Sequence, residues 1–217
     1  MRLQRFLHLP RGAIRARRHP GVPLVVALLL VLGALALPAL AGAASRAAGG
    51  ARASAAALAC AGEDSSPNGH NDALIDSATL CLMNQIRAAH QLPALRFNAS
   101  LGRVASGQAR DMVRGHYFGD QSISGRSPLA RILASGYVAH QVRLRLHAAQ
   151  NIGWGTGHTA TPAGIVAAWM ESPPHRAIIL TGSYRDAGVG VSPSVPSGFS
   201  GQWHGGTYAA EFGTRSG

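Results

Sequence analysis

One histidine, which either of two acidic residues could orient, is the main candidate for acid–base chemistry in this sequence. His175 follows a pair of prolines, and either Asp120 or Glu171 could orient its imidazole as a general base. Three serines are candidate nucleophiles for such a base: Ser122, Ser124 and Ser172. A catalytic triad is recognised by geometry, however, and the sequence lacks the Gly-x-Ser-x-Gly turn of many hydrolases. A hydrolase that uses His175 is therefore an alternative hypothesis and not the first one.

The net charge of +11 raises the question of nucleic-acid binding. All 20 basic residues are arginines, and six of them lie within the first 22 positions. The other 14 stand against nine acidic residues, which leaves a charge of +5 on the rest of the chain. These 14 occur singly, so the sequence predicts no basic stripe and no nucleic-acid partner. Attraction to an anionic cell wall or membrane surface stays open.

The first 43 residues are typical of a secretory signal peptide. A basic head precedes an almost wholly apolar run over 23–40, and the small residues of 41–43 (Ala-Gly-Ala) form a cleavage site. Residues 22–44 are also long enough to span a bilayer, so an uncleaved signal anchor is the alternative. Residues 44–66 are rich in Ala, Gly and Ser and predict a flexible spacer. One folded domain is expected over 67–217. The signal peptide, or the anchor in its place, predicts that this domain lies outside the cell or in the cell envelope.

Cys60 and Cys81 are the two cysteines of the chain, 21 positions apart. In an exported protein such a pair predicts one disulfide, and two free buried thiols are the alternative. The sequence has no Cys-x-x-Cys spacing, so structural zinc is not expected.

The pattern of apolar residues predicts helices separated by strands. Helices are expected over 72–90, after the N-cap Asn98, over 127–135 and after Thr161. A strand or an ordered extended arm is expected over 138–146, and strands are expected over 186–191 and 207–212. The first helix is expected to bury Leu74, Ile75, Ala78, Leu82, Ile86 and Ala89. Helices between strands indicate a sheet that is covered on both faces.

Three segments together carry a family resemblance. Residues 150–155 read Gln-Asn-Ile-Gly-Trp-Gly, residues 167–180 read Ala-Ala-Trp-Met-Glu-Ser-Pro-Pro-His-Arg-Ala-Ile-Ile-Leu, and residues 188–191 read Gly-Val-Gly-Val. This combination resembles the bacterial branch of the CAP superfamily, which contains cysteine-rich secretory proteins, antigen 5 and plant pathogenesis-related proteins. The resemblance extends over roughly 80–213. It implies an α+β fold built as a three-layer α-β-α sandwich.

The resemblance also implies a shallow cleft, in which two histidines and two acidic residues can hold a divalent metal. His175 matches the histidine of the family's Pro-x-His-Arg segment, and Asp120 stands where the other histidine is expected. Gln150 and Asn151 match the Glu-Asn pair of Gly-Glu-Asn-Ile, with the acid replaced by an amide. Glu171 is the remaining acidic candidate. Because an amide is a weak neutral ligand, we predict weak divalent-metal binding at most and no cofactor.

Three hypotheses for the function remain. The first is an exported, monomeric protein that binds a lipid, a cell-wall glycan or another protein in this cleft without turning it over. The second is a hydrolase with His175 as its base, with or without a metal. The third is a membrane-anchored or wall-associated structural module that keeps its N-terminal apolar segment.

Overall fold

The computed structural model describes residues 59–138, 145–196 and 204–216. Within these ranges the chain forms five α-helices, four strands and one 3-10 turn. The helices are α1 (Asp72–Ala89), α2 (Ala99–Arg114), α3 (Pro128–Ala134), α4 (Pro162–Glu171) and α5 (Pro173–Ile179). The strands are β1 (Arg96–Phe97), β2 (Arg145–Thr156), β3 (Asp186–Ser192) and β4 (Gly205–Ser216). The 3-10 turn (Gly157–Ala160) joins β2 to α4.

The strands form one mixed sheet in the order β1-β3-β4-β2. The short strand β1 runs parallel to β3, whereas β4 is antiparallel to both of its neighbours. In the middle of β4, Glu211 pairs with Gly188 on one side and with Gln150 on the other. This register brings residues far apart in the sequence to one place on the sheet.

Helices cover both faces of the sheet. The larger core lies between the sheet and the helices α1, α4 and α5, and its largest side chain, Trp169, is fully buried. On the other face, α2 and α3 pack on the sheet through two smaller apolar clusters. The buried face of α2 is formed mainly by Leu101, Val104, Ala105, Gln108 and Met112. The predicted α+β, three-layer α-β-α architecture is confirmed.

Two glycines of β3 allow α2 to lie directly on the sheet. A Cβ atom on Gly188 would overlap the backbone of Leu101 and Gly102, and one on Gly190 would overlap the backbone of Ser106. Backbone therefore contacts backbone here, with no side chain between them. Any larger residue at either position would displace the helix.

The buried face of α1 differs from the prediction. Leu74 is 42% exposed, whereas Arg87 is completely buried. The guanidinium of Arg87 donates hydrogen bonds of 2.7–3.2 Å to backbone oxygens at the end of α5 and in the loops that follow α1 and α5. The acceptors are the carbonyls of Pro93, Ile179, Thr181 and Tyr184. A hydropathy pattern cannot anticipate this burial, because most of these acceptors are distant in the sequence.

The disulfide Cys60–Cys81 is present, as predicted, and Cys81 lies on α1. Residues 59–66 belong to the predicted spacer, and the structure describes them at the edge of the domain. Besides the disulfide, the backbone N–H of Ala163 donates to the carbonyl of Glu63 at 2.9 Å. The spacer therefore joins the domain at the start of α4.

Several predictions fall partly or wholly outside the described residues. Residues 1–58, which include the predicted signal peptide, are among them, as is most of the strand predicted over 138–146. From Arg145 the chain is a strand as far as Thr156, ten residues beyond the predicted end. Across the three described ranges, none of the helices combines the length and the apolar character needed to cross a bilayer.

Candidate functional site

A buried polar cluster, formed by Gln150, Glu211 and Arg131, lies between the sheet and α3. Gln150 and Glu211 are direct cross-strand partners, and Gln150 Nε2 donates to Glu211 Oε1 at 2.7 Å. Arg131 of α3 places Nη2 3.8 Å from the same carboxylate oxygen. The Glu211 side chain has no exposed surface. An amide, a carboxyl group and a guanidinium thus meet within an otherwise apolar layer.

Burial raises the pKa of Glu211 to about 7. The hydrogen bond from Gln150 and the charge of Arg131 act in the opposite direction, and the charge of Asp120 adds to the rise. Glu211 is therefore partly protonated near neutral pH, so its carboxyl group can either donate or accept a hydrogen bond.

Several buried atoms of the cluster have no hydrogen-bond partner among the described residues. They are Gln150 Oε1, Glu211 Oε2 and the Nε and Nη2 atoms of Arg131. Buried polar atoms are usually paired, because leaving one unpaired costs about 1–3 kcal/mol. The cluster thus offers both donors and acceptors to a polar group placed against it.

His175 is half-buried near the start of α5. Its Nδ1 lies 2.8 Å from the hydroxyl oxygen of Ser172, the N-cap residue of the same helix. Burial lowers the pKa of His175, and the negative charge of Asp120 partly offsets this effect. The lowered pKa favours the neutral imidazole, which is the form that can act as a base.

Asp120 connects His175 with the buried polar cluster. Its side chain is exposed, and its carbonyl accepts a 3.0 Å hydrogen bond from Arg131 Nη1. Its charge acts on the ionisation of both His175 and Glu211, so each of these groups lies within electrostatic reach of Asp120. We use the term cleft for the region between Asp120, His175 and the buried polar cluster.

The two other predicted cleft residues lie elsewhere. Asn151 follows Gln150 on β2 and therefore points to the opposite face of the sheet. There it is fully buried, and its Nδ2 donates to the carbonyl of His175 at 3.1 Å. Asn151 thus positions α5, whereas Glu171 is exposed at the C-terminal end of α4.

These residues do not fit the divalent-metal site that the CAP resemblance implies. The described ranges contain no group of three His, Cys, Asp or Glu side chains close enough to hold one ion. The Nδ1 atom of His175 is engaged with Ser172, and Gln150 presents its amide nitrogen to Glu211. A positive guanidinium beside the carboxyl group of Glu211 further disfavours a cation there.

Sequence analysis missed Glu211 and Arg131. One signal for Glu211 was available, since it is a lone acid in the apolar segment 208–212 (Tyr-Ala-Ala-Glu-Phe). A buried acid requires a polar or charged partner. That partner could not be identified, because Gln150 and Arg131 precede Glu211 by about 60 and 80 residues.

Residues 80–204 match the family model described as CAP, the cysteine-rich secretory protein family. The match covers more than half of the chain, and the chain belongs to this family. Two relatives come from Bacillus subtilis strain 168. The uncharacterized membrane protein YlbC is 34% identical over 112 residues, and the uncharacterized protein YkwD is 31% identical over 113 residues. Each alignment covers 52% of this chain but only 30% of YlbC and 40% of YkwD.

Two solved structures share the fold. One is an extracellular protein of Bacillus anthracis that contains an SCP domain, with a TM-score of 0.50 and 24% identity. The alignment covers 65% of this chain and 40% of that protein. The other is an outer surface protein of Borrelia burgdorferi, with a TM-score of 0.50 and 16% identity. That alignment covers 63% of this chain and 90% of the Borrelia protein.

Proposed function

We propose that this protein is exported and binds a glycan of the cell surface in the cleft, without turning it over. The observation that carries the proposal is the buried polar cluster, in which donors and acceptors without partners lie side by side. Asp120 and His175 would contact the same ligand at the open side of the cleft.

A glycan suits this chemistry better than a lipid does. Hydroxyl and acetamido groups both donate and accept hydrogen bonds, so they match the mixed donors and acceptors of the cluster, whose buried unpaired atoms a side-chain rearrangement would expose. A lipid chain would leave these buried atoms unpaired and would gain little apolar contact from them. A protein ligand would have to reach the cluster with a polar side chain.

Two observations support export. The Cys60–Cys81 disulfide is of a kind that persists in oxidising surroundings outside the cytoplasm. Among the proteins of the same fold are an extracellular protein and an outer surface protein. The predicted signal peptide is consistent with both.

A hydrolase is the second candidate, and one distance favours it. Ser172 Oγ and His175 Nδ1 are 2.8 Å apart, within reach for a nucleophile and its base. Across the described residues, no carboxylate hydrogen-bonds the imidazole to orient it. Ser172 is also the N-cap residue of α5, and His175 is the third residue of that helix. Side chains at this spacing interact to stabilise the start of a helix, with no role in catalysis.

The two candidates are separated by one neutral probe, the tetramer of N-acetylglucosamine, in calorimetry and in a reducing-end assay. Asp120→Asn should weaken binding by about fivefold, equivalent to about 1 kcal/mol, whereas Asp64→Asn, also at an exposed carboxylate, should not. Cleavage that disappears in Ser172→Ala would establish the hydrolase instead. Absence of tetramer binding, or binding of a fluorescent fatty acid in its place, would reject the glycan proposal.

A further inference from the structure

A cavity of about 370 Å³ lies beside the cleft, between α2, the loop that precedes α3, and α3 itself. Four arginines line it: Arg103, Arg114, Arg126 and Arg131. We call this the arginine pocket. It shares Arg131 with the buried polar cluster and otherwise consists of different residues.

The fold gathers arginines that the sequence places singly. Arg103 and Arg114 are 11 residues apart, which is three helical turns, so both lie on one face of α2. Gly107 lies between them on that face, and the space in front of it is open. Arg126 comes from the loop and Arg131 from α3. Arginines that occur singly in the sequence therefore meet around one pocket in the fold.

Most of the positive charge in the pocket is not neutralised. Asp111 is the one acidic residue of the lining, and its Oδ2 accepts hydrogen bonds from the Tyr117 hydroxyl and the Ile123 amide. Over the ranges that the structure describes, Arg103, Arg114 and Arg126 take part in no ion pair.

Two further groups point to a ligand. Arg131 is only 11% exposed, and its Nε and Nη2 atoms have no hydrogen-bond partner within the described ranges. Gln108 is 1% exposed, and its Oε1 atom also has no hydrogen-bond partner within the described ranges. Its Nε2 atom donates to Gly119 O at 2.8 Å. The pocket therefore combines guanidinium donors for an anion with a buried acceptor for a hydroxyl group.

We infer that the arginine pocket binds a phosphate group carried on a polyol or a sugar. A guanidinium group can donate two parallel hydrogen bonds to two oxygens of one phosphate group. Four guanidinium groups suit the charge of a phosphate better than the single negative charge of a carboxylate. Ser122 and Ser124 line the same pocket, and because their hydroxyls hydrogen-bond to each other at 3.0 Å, one of the two can donate to a further phosphate oxygen. Gln108 Oε1 would accept from a hydroxyl of the carrier. Arg131 is the one residue that both proposals use, so the variants that test the two proposals change residues that belong to one site only.

The test uses glycerol 3-phosphate in calorimetry at low ionic strength, with glycerate, glycerol and inorganic phosphate for comparison. The double variant Arg114→Gln, Arg126→Gln should bind glycerol 3-phosphate at least about tenfold more weakly than the native protein. The control Arg110→Gln, Arg185→Gln removes the same charge at exposed positions outside the pocket and should bind as the native protein does. Added salt should weaken native binding.

Three results would overturn the inference: no binding of glycerol 3-phosphate by the native protein, an equal loss in both double variants, or tighter binding of glycerate. Equal affinity for inorganic phosphate would overturn the part that assigns a carrier hydroxyl to Gln108. Asp120→Asn should retain phosphate binding, because Asp120 does not line the pocket. A failure of the glycan proposal and a failure of this one are therefore distinguishable.

Discussion

Glu211 makes the stability of this protein depend on pH in a direction opposite to that of a salt-bridged acid. Its pKa is about 7 in the folded protein, mainly because of burial, against an ordinary value of 4.5. Between these values the unfolded chain releases a proton that the folded chain retains. The free energy of unfolding should therefore fall as the pH rises from 4.5 to about 7, and stay level above that.

The size of this effect follows from the shift. Each pKa unit corresponds to about 1.4 kcal/mol, so Glu211 alone lowers stability by about 3 kcal/mol between pH 4.5 and pH 8. Glu211→Gln removes the titrating group and keeps an oxygen that can accept from Gln150 Nε2. Its new amide can donate to Gln150 Oε1, which has no partner among the described residues. The variant should equal the native protein at pH 4.5 and exceed its stability by up to about 3 kcal/mol at pH 8.

Urea unfolding followed by tryptophan fluorescence at pH 4.5, 6 and 8 measures this difference. Glu171→Gln is the matched control, since Glu171 is an exposed glutamate, and it should keep the native pH dependence. Burial and the charge of Asp72 raise the pKa of Asp76 to about 7. The stability of Glu211→Gln should therefore still depend on pH to some extent, because Asp76 is unchanged in that variant. The reasoning is refuted if Glu211→Gln and the native protein show the same dependence, or if the variant is less stable at pH 8.

Three further predictions concern the disulfide, the metal and a helix cap. Cys81→Ala should lower the free energy of unfolding by about 3 kcal/mol while circular dichroism stays native, and loss of the fold would contradict this. The double variant Asp120→His, Gln150→Glu should raise zinc affinity at least about tenfold in calorimetry, and tight binding by the native protein would contradict the premise. Asn98→Ala should cost about 1 kcal/mol in urea unfolding, because its side chain accepts from two backbone amides of α2, and an unchanged midpoint would count against that role.

Elements with local signals were predicted well from the sequence. Asn98, Ser127 and Thr161 each cap a helix with a side-chain oxygen, as expected, and the helices begin directly after them. Caps depend on residues two or three positions away, so a sequence contains the whole interaction. The strands β3 and β4 were predicted at the right places, although β4 extends four residues beyond its predicted end.

The extent of β2 could not be predicted, because its partners are distant. It carries glycines at 153 and 155, which have low β-propensity. A Cβ atom on Gly153 would come within 3.0 Å of Trp169 Nε1, and one on Gly155 would overlap the backbone of Thr159. Twelve residues of pairing with β4 hold the strand in place, and none of that pairing is visible locally.

The candidate site was predicted only in part, for the same reason. The family resemblance supplied Asp120, Gln150 and His175, which lie near one another. It could not supply Glu211 or Arg131, because their role follows from the register of β4 against β2 and from the position of α3.

The contact between α2 and the two glycines of β3 has a consequence for selectivity. A helix held through its backbone cannot shift by side-chain rearrangement, so the α2 residues Arg103 and Arg114 keep a fixed position on the sheet. The wall of the arginine pocket is thus preorganised, and a ligand does not have to bear the entropic cost of ordering it. Ligands would be distinguished by how well they fit a wall of fixed position, and enlarging Gly190 would relax this selection before it abolished binding.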